Sequence, residues 1–67
     1  MMTDEQRDIL LREKYKVIEA MRKYGGGFEK ALGEAIANAD YVNTVRLKRA
    51  FPDYWDRNLF IYERQFE

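Results

Sequence analysis

Three consecutive glycines at positions 25–27 constrain this chain more than any other feature. Nothing from Thr3 to Tyr24 is a glycine or a proline, so one long helix can run up to the glycines and must end there. Thr3 stands three residues before Gln6, the spacing of a capping box, and Asp4 and Glu5 occupy the first turn, where acids complement the helix dipole. At 100° per residue, Leu10, Leu11, Tyr15, Val17, Ile18, Met21 and Tyr24 share one half of the wheel. Glu5, Asp8, Arg12, Glu13, Lys16, Glu19 and Lys23 share the other, and the stems of Lys14 and Arg22 lie along the apolar stripe. The expected helix spans about residues 3–23 and is roughly 30 Å long.

The glycines then read as a tight reversal, with Gly25 as a left-handed cap, which makes an αα-hairpin. A second reading is an anion cradle, because glycine amides ahead of a helix can hold phosphate. The sequence lacks the Gly-Lys-Ser/Thr ending of a P-loop, and a helix rather than a strand precedes the glycines.

A second helix is expected over about 28–39. Phe28, Ala31, Leu32, Ala35, Ile36 and Ala39 recur with helical periodicity, and the alanines allow a close approach. Gly33 inside it costs about 1 kcal/mol against alanine, and marks either a tight helix crossing or a contact surface, packing being the readier reason. Asp40 and Asn43 are both capping types, so a break falls between Ala39 and Thr44. A third helix over about 43–51 turns Leu47, Ala50 and Phe51 inward and carries Arg46, Lys48 and Arg49 outside. It stops at Phe51, because the residue before a proline is disfavoured in helical conformation.

Pro52 and Asp53 suit the first turn of a last helix, over about 53–65, with Trp55, Leu59, Tyr62 and Phe66 on one face. The run Leu59-Phe60-Ile61-Tyr62 also has strand character, but a lone strand would lack a partner in a helical chain. Four successive apolar residues cannot all face one small core, so Phe60 or Ile61 is expected at the surface or against another chain. The expected fold is therefore all-α: a single bundle of three to four helices, with the long first helix packed on a compact hairpin and an aromatic helix at the end.

By this point the sequence shows a pattern: Tyr24-Gly25, Phe28, Ala31-Leu32, Ala35, Ala39-Asp40, Asn43, Leu47, Ala50-Phe51-Pro52 and Tyr54-Trp55. It resembles a motif of short uncharacterised helical proteins of phages, prophages and other mobile elements, and covers about the middle half of the chain. Those positions are mostly helix-face and capping residues, so the resemblance implies a fold and a context but transfers no activity. The implied context is that of small accessory proteins that bind a host protein or nucleic acid, some of them to disable host defence.

Composition narrows the chemistry. The 67 residues contain neither cysteine nor histidine, which removes disulfides, ordinary Cys/His zinc sites and the common acid/base and nucleophilic constellations. Carboxylate pairs such as Glu29 with Glu34, or Asp53 with Asp56, read as solvated faces and helix-start charges, and no EF-hand spacing is present. No catalysis, cofactor or metal is expected. Twelve basic and twelve acidic residues balance, which argues against a dedicated nucleic-acid binder. No run is apolar enough to span a bilayer, and the polar start MMTDEQRD is unlike a signal peptide, so a cytoplasmic location is expected.

Aromatic residues make up 15% of the chain. They can staple a miniature core or supply binding hot spots, and composition alone does not separate the two, but any that stay exposed on so small a scaffold call for a partner to cover them. The expected function is that of an interaction protein binding a host protein, or itself as a homodimer. The expected anchors are Tyr54, Trp55, Phe60, Ile61 and Tyr62, flanked by Arg57 and Arg64. Trp55 and Tyr62 also read as core; for Trp55 the core reading outweighs the anchor reading, whereas for Phe60 and Ile61 the two balance. In the alternative, helices two and three form a helix-turn-helix outline, with Asn43, Thr44 and Arg46 near bases and Lys48 and Arg49 on phosphate. A further alternative is an oligomer that sequesters a small ligand.

Overall fold

The computed structural model describes residues 3–66, with side chains through Gln65. Among the described residues the chain is a compact bundle of four helices without strands: α1 (Asp4–Tyr24), α2 (Gly27–Ala37), α3 (Tyr41–Ala50) and α4 (Pro52–Phe66). The strand-like run in the tail is thus helical. α1 is the brace, packing along both α2 and α4, whereas α3 meets α2 and α4 more sparsely. The Phe66 side chain, expected to point inward, lies outside the described residues.

The helix starts follow local chemistry. Thr3 and Gln6 close the expected capping box, with Gln6 N–H donating to Thr3 Oγ1 at 3.1 Å and Thr3 N–H to Gln6 Oε1 at 2.8 Å. Asp40, rather than Asn43, caps α3: its carboxylate accepts from Asn43 N–H at 2.8 Å. The third helix therefore begins two residues earlier than the sequence suggested, at Tyr41. Phe51 leaves helical geometry at φ −130° and ψ 59°, and Pro52 opens α4 as its first helical residue.

The glycine turn differs from expectation. Gly25 caps α1 at φ −78° and ψ 154°, in extended rather than left-handed conformation. What requires glycine there is space, since a Cβ would fall 2.6 Å from the Met21 carbonyl oxygen and 2.7 Å from Glu29 Cβ. Glu29, in the first turn of α2, folds its carboxylate against Gly25, so the would-be anion cradle already faces a negative charge of its own chain.

The core gathers Leu10, Val17, Ile18 and Met21 of α1, Leu32 and Ile36 of α2, and Trp55 of α4. The apolar stripe of α1 is narrower than its sequence suggests, since Leu11, Tyr15 and Tyr24 are exposed while Ala20 is fully buried. On α2 the expected inward residues Phe28, Ala31 and Ala35 are exposed, and Gly33 is buried instead. A Cβ on Gly33 would stand 3.0 Å from Met21 Cβ, so the helices cross there and α2 is rotated to face α1 with its glycine. Ala50, also expected inside, is exposed.

Two polar links hold α3 and α4 onto α1. Lys14 reaches over the α2–α3 junction, donating to the Ala39 carbonyl at 2.8 Å and to Thr44 Oγ1 at 3.0 Å. Thr44 Oγ1 in turn donates to the Asp40 carbonyl at 2.8 Å. Glu13 Oε1 accepts from Trp55 Nε1 at 3.0 Å and from Lys48 Nζ at 3.2 Å, and the same ammonium lies 5.4 Å from the indole centroid.

On the surface, Arg22 grips Glu34 through two bonds of 2.6 Å and 3.1 Å, joining α1 to α2. The bond from Arg22 holds the Glu34 carboxyl below its usual value. A depressed folded-state value means that the contribution is fully present above the unfolded carboxyl range. It is then lost as pH falls through the lower folded value. The stability difference between wild type and Glu34→Gln should therefore shrink as pH drops from about 7 to about 3, measured by urea titration. Both partners are exposed, so the difference is small throughout.

Candidate interaction surface

Aromatic side chains from three segments converge beside the α2 start. The Phe28 ring stands 5.7 Å from Phe51, edge-on, and 5.3 Å from Tyr54, while Phe51 and Tyr54 are 6.3 Å apart. The local sequence makes this cluster. Pro52 breaks the chain so that Phe51 ends α3, and Tyr54 sits in the first turn of α4, three residues on. The glycine turn brings Phe28 to the same side.

The cluster is capped by charge. The Arg57 guanidinium lies 5.2 Å from the Tyr54 centroid and is ion-paired with Glu29, whose side chain is mostly buried. Phe28 itself remains 55% exposed, so the aromatic group is open to solvent on one side. A hollow of about 280 Å³ lined by Asp53, Tyr54 and Arg57 adjoins it.

The structure sorts the anchors read from the sequence. Tyr54 and Arg57 belong to this surface, half-buried and exposed respectively. Trp55 does not: at 1% exposure it is core, because it lies on the α4 face turned to Glu13. Phe60 is 58% exposed, with Arg64 stacked 5.5 Å over its ring. Ile61 is half-buried. Tyr62 points to α1, where its ring meets Tyr15 edge-on at 6.2 Å. Phe28, Phe51 and Glu29 were not among the expected site residues. Phe28 and Phe51 fall on helix faces that periodicity assigns to the core, and only the rotation of α2 frees the Phe28 ring.

The alternative basic face is thinner than its sequence. Thr44 is fully buried and bonded to Lys14, so it cannot approach a base. Lys48 is half-buried and committed to Glu13 and Trp55. Asn43, Arg46 and Arg49 remain exposed, with Arg46 donating to Asn43 Oδ1 at 3.4 Å. A cleft of about 360 Å³ between α1, α3 and α4 is lined by Leu10, Val45, Lys48, Arg49, Pro52 and Asp56.

Among the described residues no group of three acidic side chains could hold a metal ion, and no helix is long and apolar enough to cross a membrane. No family model, no curated protein and no solved structure matches the chain.

Proposed function

We propose that this chain is a non-enzymatic interaction protein that engages a protein partner through the aromatic surface of Phe28, Phe51, Tyr54 and Arg57. The observation that carries the reading is the Phe28 ring, which packs against two other aromatic rings, edge-on and tilted, yet leaves more than half of its own surface to water. An exposed aromatic cluster beside a positioned arginine has the composition of binding hot spots. Its rings are already held by one another and by the Arg57–Glu29 pair, so docking would cost little side-chain ordering. In the mobile-element context that the sequence pattern implies, the partner is a cytoplasmic host protein, and binding masks a surface of that protein.

The test compares capture of host proteins by the tagged wild-type chain, by Phe28→Asp and by Leu11→Asp, which alters an exposed apolar residue of α1. A partner kept by wild type and Leu11→Asp but weakened about thirtyfold or more by Phe28→Asp is the expected result. Equal capture by all three would remove the aromatic cluster from the reading, and capture of nothing would remove the partner.

A further inference from the structure

We propose that the cleft between α1, α3 and α4 binds a free α-amino acid with an apolar side chain. The site shares no residue with the Phe28 surface, and the inference does not depend on the host-partner reading. Leu10 of α1, Val45 of α3 and Pro52 of α4 supply the apolar part of the lining, and Lys48, Arg49 and Asp56 its charges. An adjoining hollow of about 200 Å³ shares Leu10 and Lys48 and adds Gln6 and Ile9, so the apolar lining continues along α1 to an isoleucine that is 45% exposed.

Size sets the first limit. The cleft volume of about 360 Å³ falls at the small end of ligand pockets, which run from about 300 to about 1,000 Å³. At about 30 Å³ for each water in the liquid, that is the volume of about a dozen waters. The ligand is correspondingly small, with about a dozen non-hydrogen atoms.

Charge sets the second limit. The Lys48 ammonium is met by Glu13 at 3.2 Å and lies over the Trp55 indole, so its charge is answered within the chain. Arg49 and Asp56 are exposed, and among the described residues neither has a charged partner, not even each other. Arg49 stands in the last turn of α3 and Asp56 on α4, past the break at Pro52, so opposite charges line one cleft from two helices. With Glu13 included, the site holds two positive and two negative charges. That balance suits a neutral zwitterion rather than an anion or a cation. The dipole of α3 accounts for an arginine in its last turn. Asp56 has no such account: it lies beyond the first turn of α4, and no lysine or arginine stands three or four residues from it.

An apolar amino acid answers every part of this lining. Its carboxylate accepts from the Arg49 guanidinium, its ammonium donates to the Asp56 carboxylate, and its side chain covers Leu10 and Val45. The same two residues reject incomplete ligands. An acid without the amine meets Asp56, and an amine without the carboxyl group meets Arg49.

Titration of the full chain, labelled with nitrogen-15, with L-phenylalanine near neutral pH is the test, read by amide shifts. A ligand of this size should bind with Kd of about 1 mM, and the shifts should centre on the amides of Leu10, Val45 and Asp56. Hydrocinnamate lacks the ammonium and phenethylamine lacks the carboxylate, and each should bind about tenfold more weakly. Arg49→Gln should weaken phenylalanine about tenfold yet bind phenethylamine no less tightly than wild type does. Asp56→Asn should weaken phenylalanine by a similar factor and bind hydrocinnamate no less tightly. Both side chains are exposed, so the variants keep the fold, which their own amide spectra check.

Phe28→Asp should leave phenylalanine binding unchanged, which separates this inference from the host-partner surface. The absence of any shift up to about 20 mM phenylalanine overturns the proposal. So do shifts centred elsewhere, an incomplete ligand that binds as tightly as phenylalanine, or variants at Arg49 and Asp56 that bind it like wild type.

Discussion

Trp55→Ala is expected to unfold this chain at room temperature. The indole is 1% exposed and lies among the core residues of α1 and α2. Emptying such a site costs about 3–5 kcal/mol through lost transfer energy and the cavity left behind. A core of this size rarely supplies more than about 3–5 kcal/mol in total, so the deletion consumes the whole margin. The polar end adds to the loss: Glu13 would lose the Trp55 N–H, and Lys48 would lose the ring beneath its ammonium.

Trp55→Phe separates the two contributions. It keeps most of the apolar volume but leaves Glu13 short of one donor, a loss of about 1–3 kcal/mol that should leave a folded, weakened protein. Far-ultraviolet circular dichroism with urea titration reads both variants. A Trp55→Ala protein with wild-type helicity and midpoint would show that α4 is not docked through its tryptophan.

Much of this arrangement is legible from the chain before folding. The Thr3–Gln6 box, the glycine stop and the Pro52 restart are local devices whose geometry depends on neighbours within a few residues, so their types and spacing suffice. The distinction between Trp55 and Phe60 is nearly local as well. Five residues apart on one helix, they point about 140° apart, so only one of them can face the bundle.

What periodicity leaves open is where each stripe is centred. On α2 the alanines and Gly33 are all small, and which of them meets α1 depends on Met21, twelve residues back and across a turn. The centring decides the site, because it leaves Phe28 at the surface rather than in the core. Buried polar groups are equally hidden. Thr44 reads as a helix-face hydroxyl until Lys14 is seen above it, and Asn58 reads as surface although it is fully buried, donating to the Tyr54 carbonyl at 2.8 Å. The Lys14–Thr44 partnership arises from packing, whereas the Asn58 bond lies within one turn of α4 and only the burial of that side chain comes from packing.

The glycine turn offers the second large effect, with opposite signs two residues apart. Gly25→Ala would place a methyl 2.6 Å from the Met21 carbonyl oxygen and 2.7 Å from Glu29 Cβ. One of those neighbours is backbone within the last turn of α1, which cannot swing aside as a side-chain tip can. The end of α1 and the start of α2 must separate, at about 1–3 kcal/mol, and the Phe28 ring that α2 carries moves with them. Gly27 is different: it is the first residue of α2, none of the glycines has positive φ, and nothing lies within 4 Å of its absent Cβ. Alanine there restricts the unfolded chain without native strain, a gain of about 0.4–1 kcal/mol. In a domain of this size each 1 kcal/mol moves Tm by about 4–8 °C, so thermal melts should fall for Gly25→Ala and rise for Gly27→Ala. If both melts fall together, the turn needs backbone freedom along its whole length. If both rise, α1 and α2 are further apart at Gly25 than the structure places them, and the close seat of Glu29 goes with that.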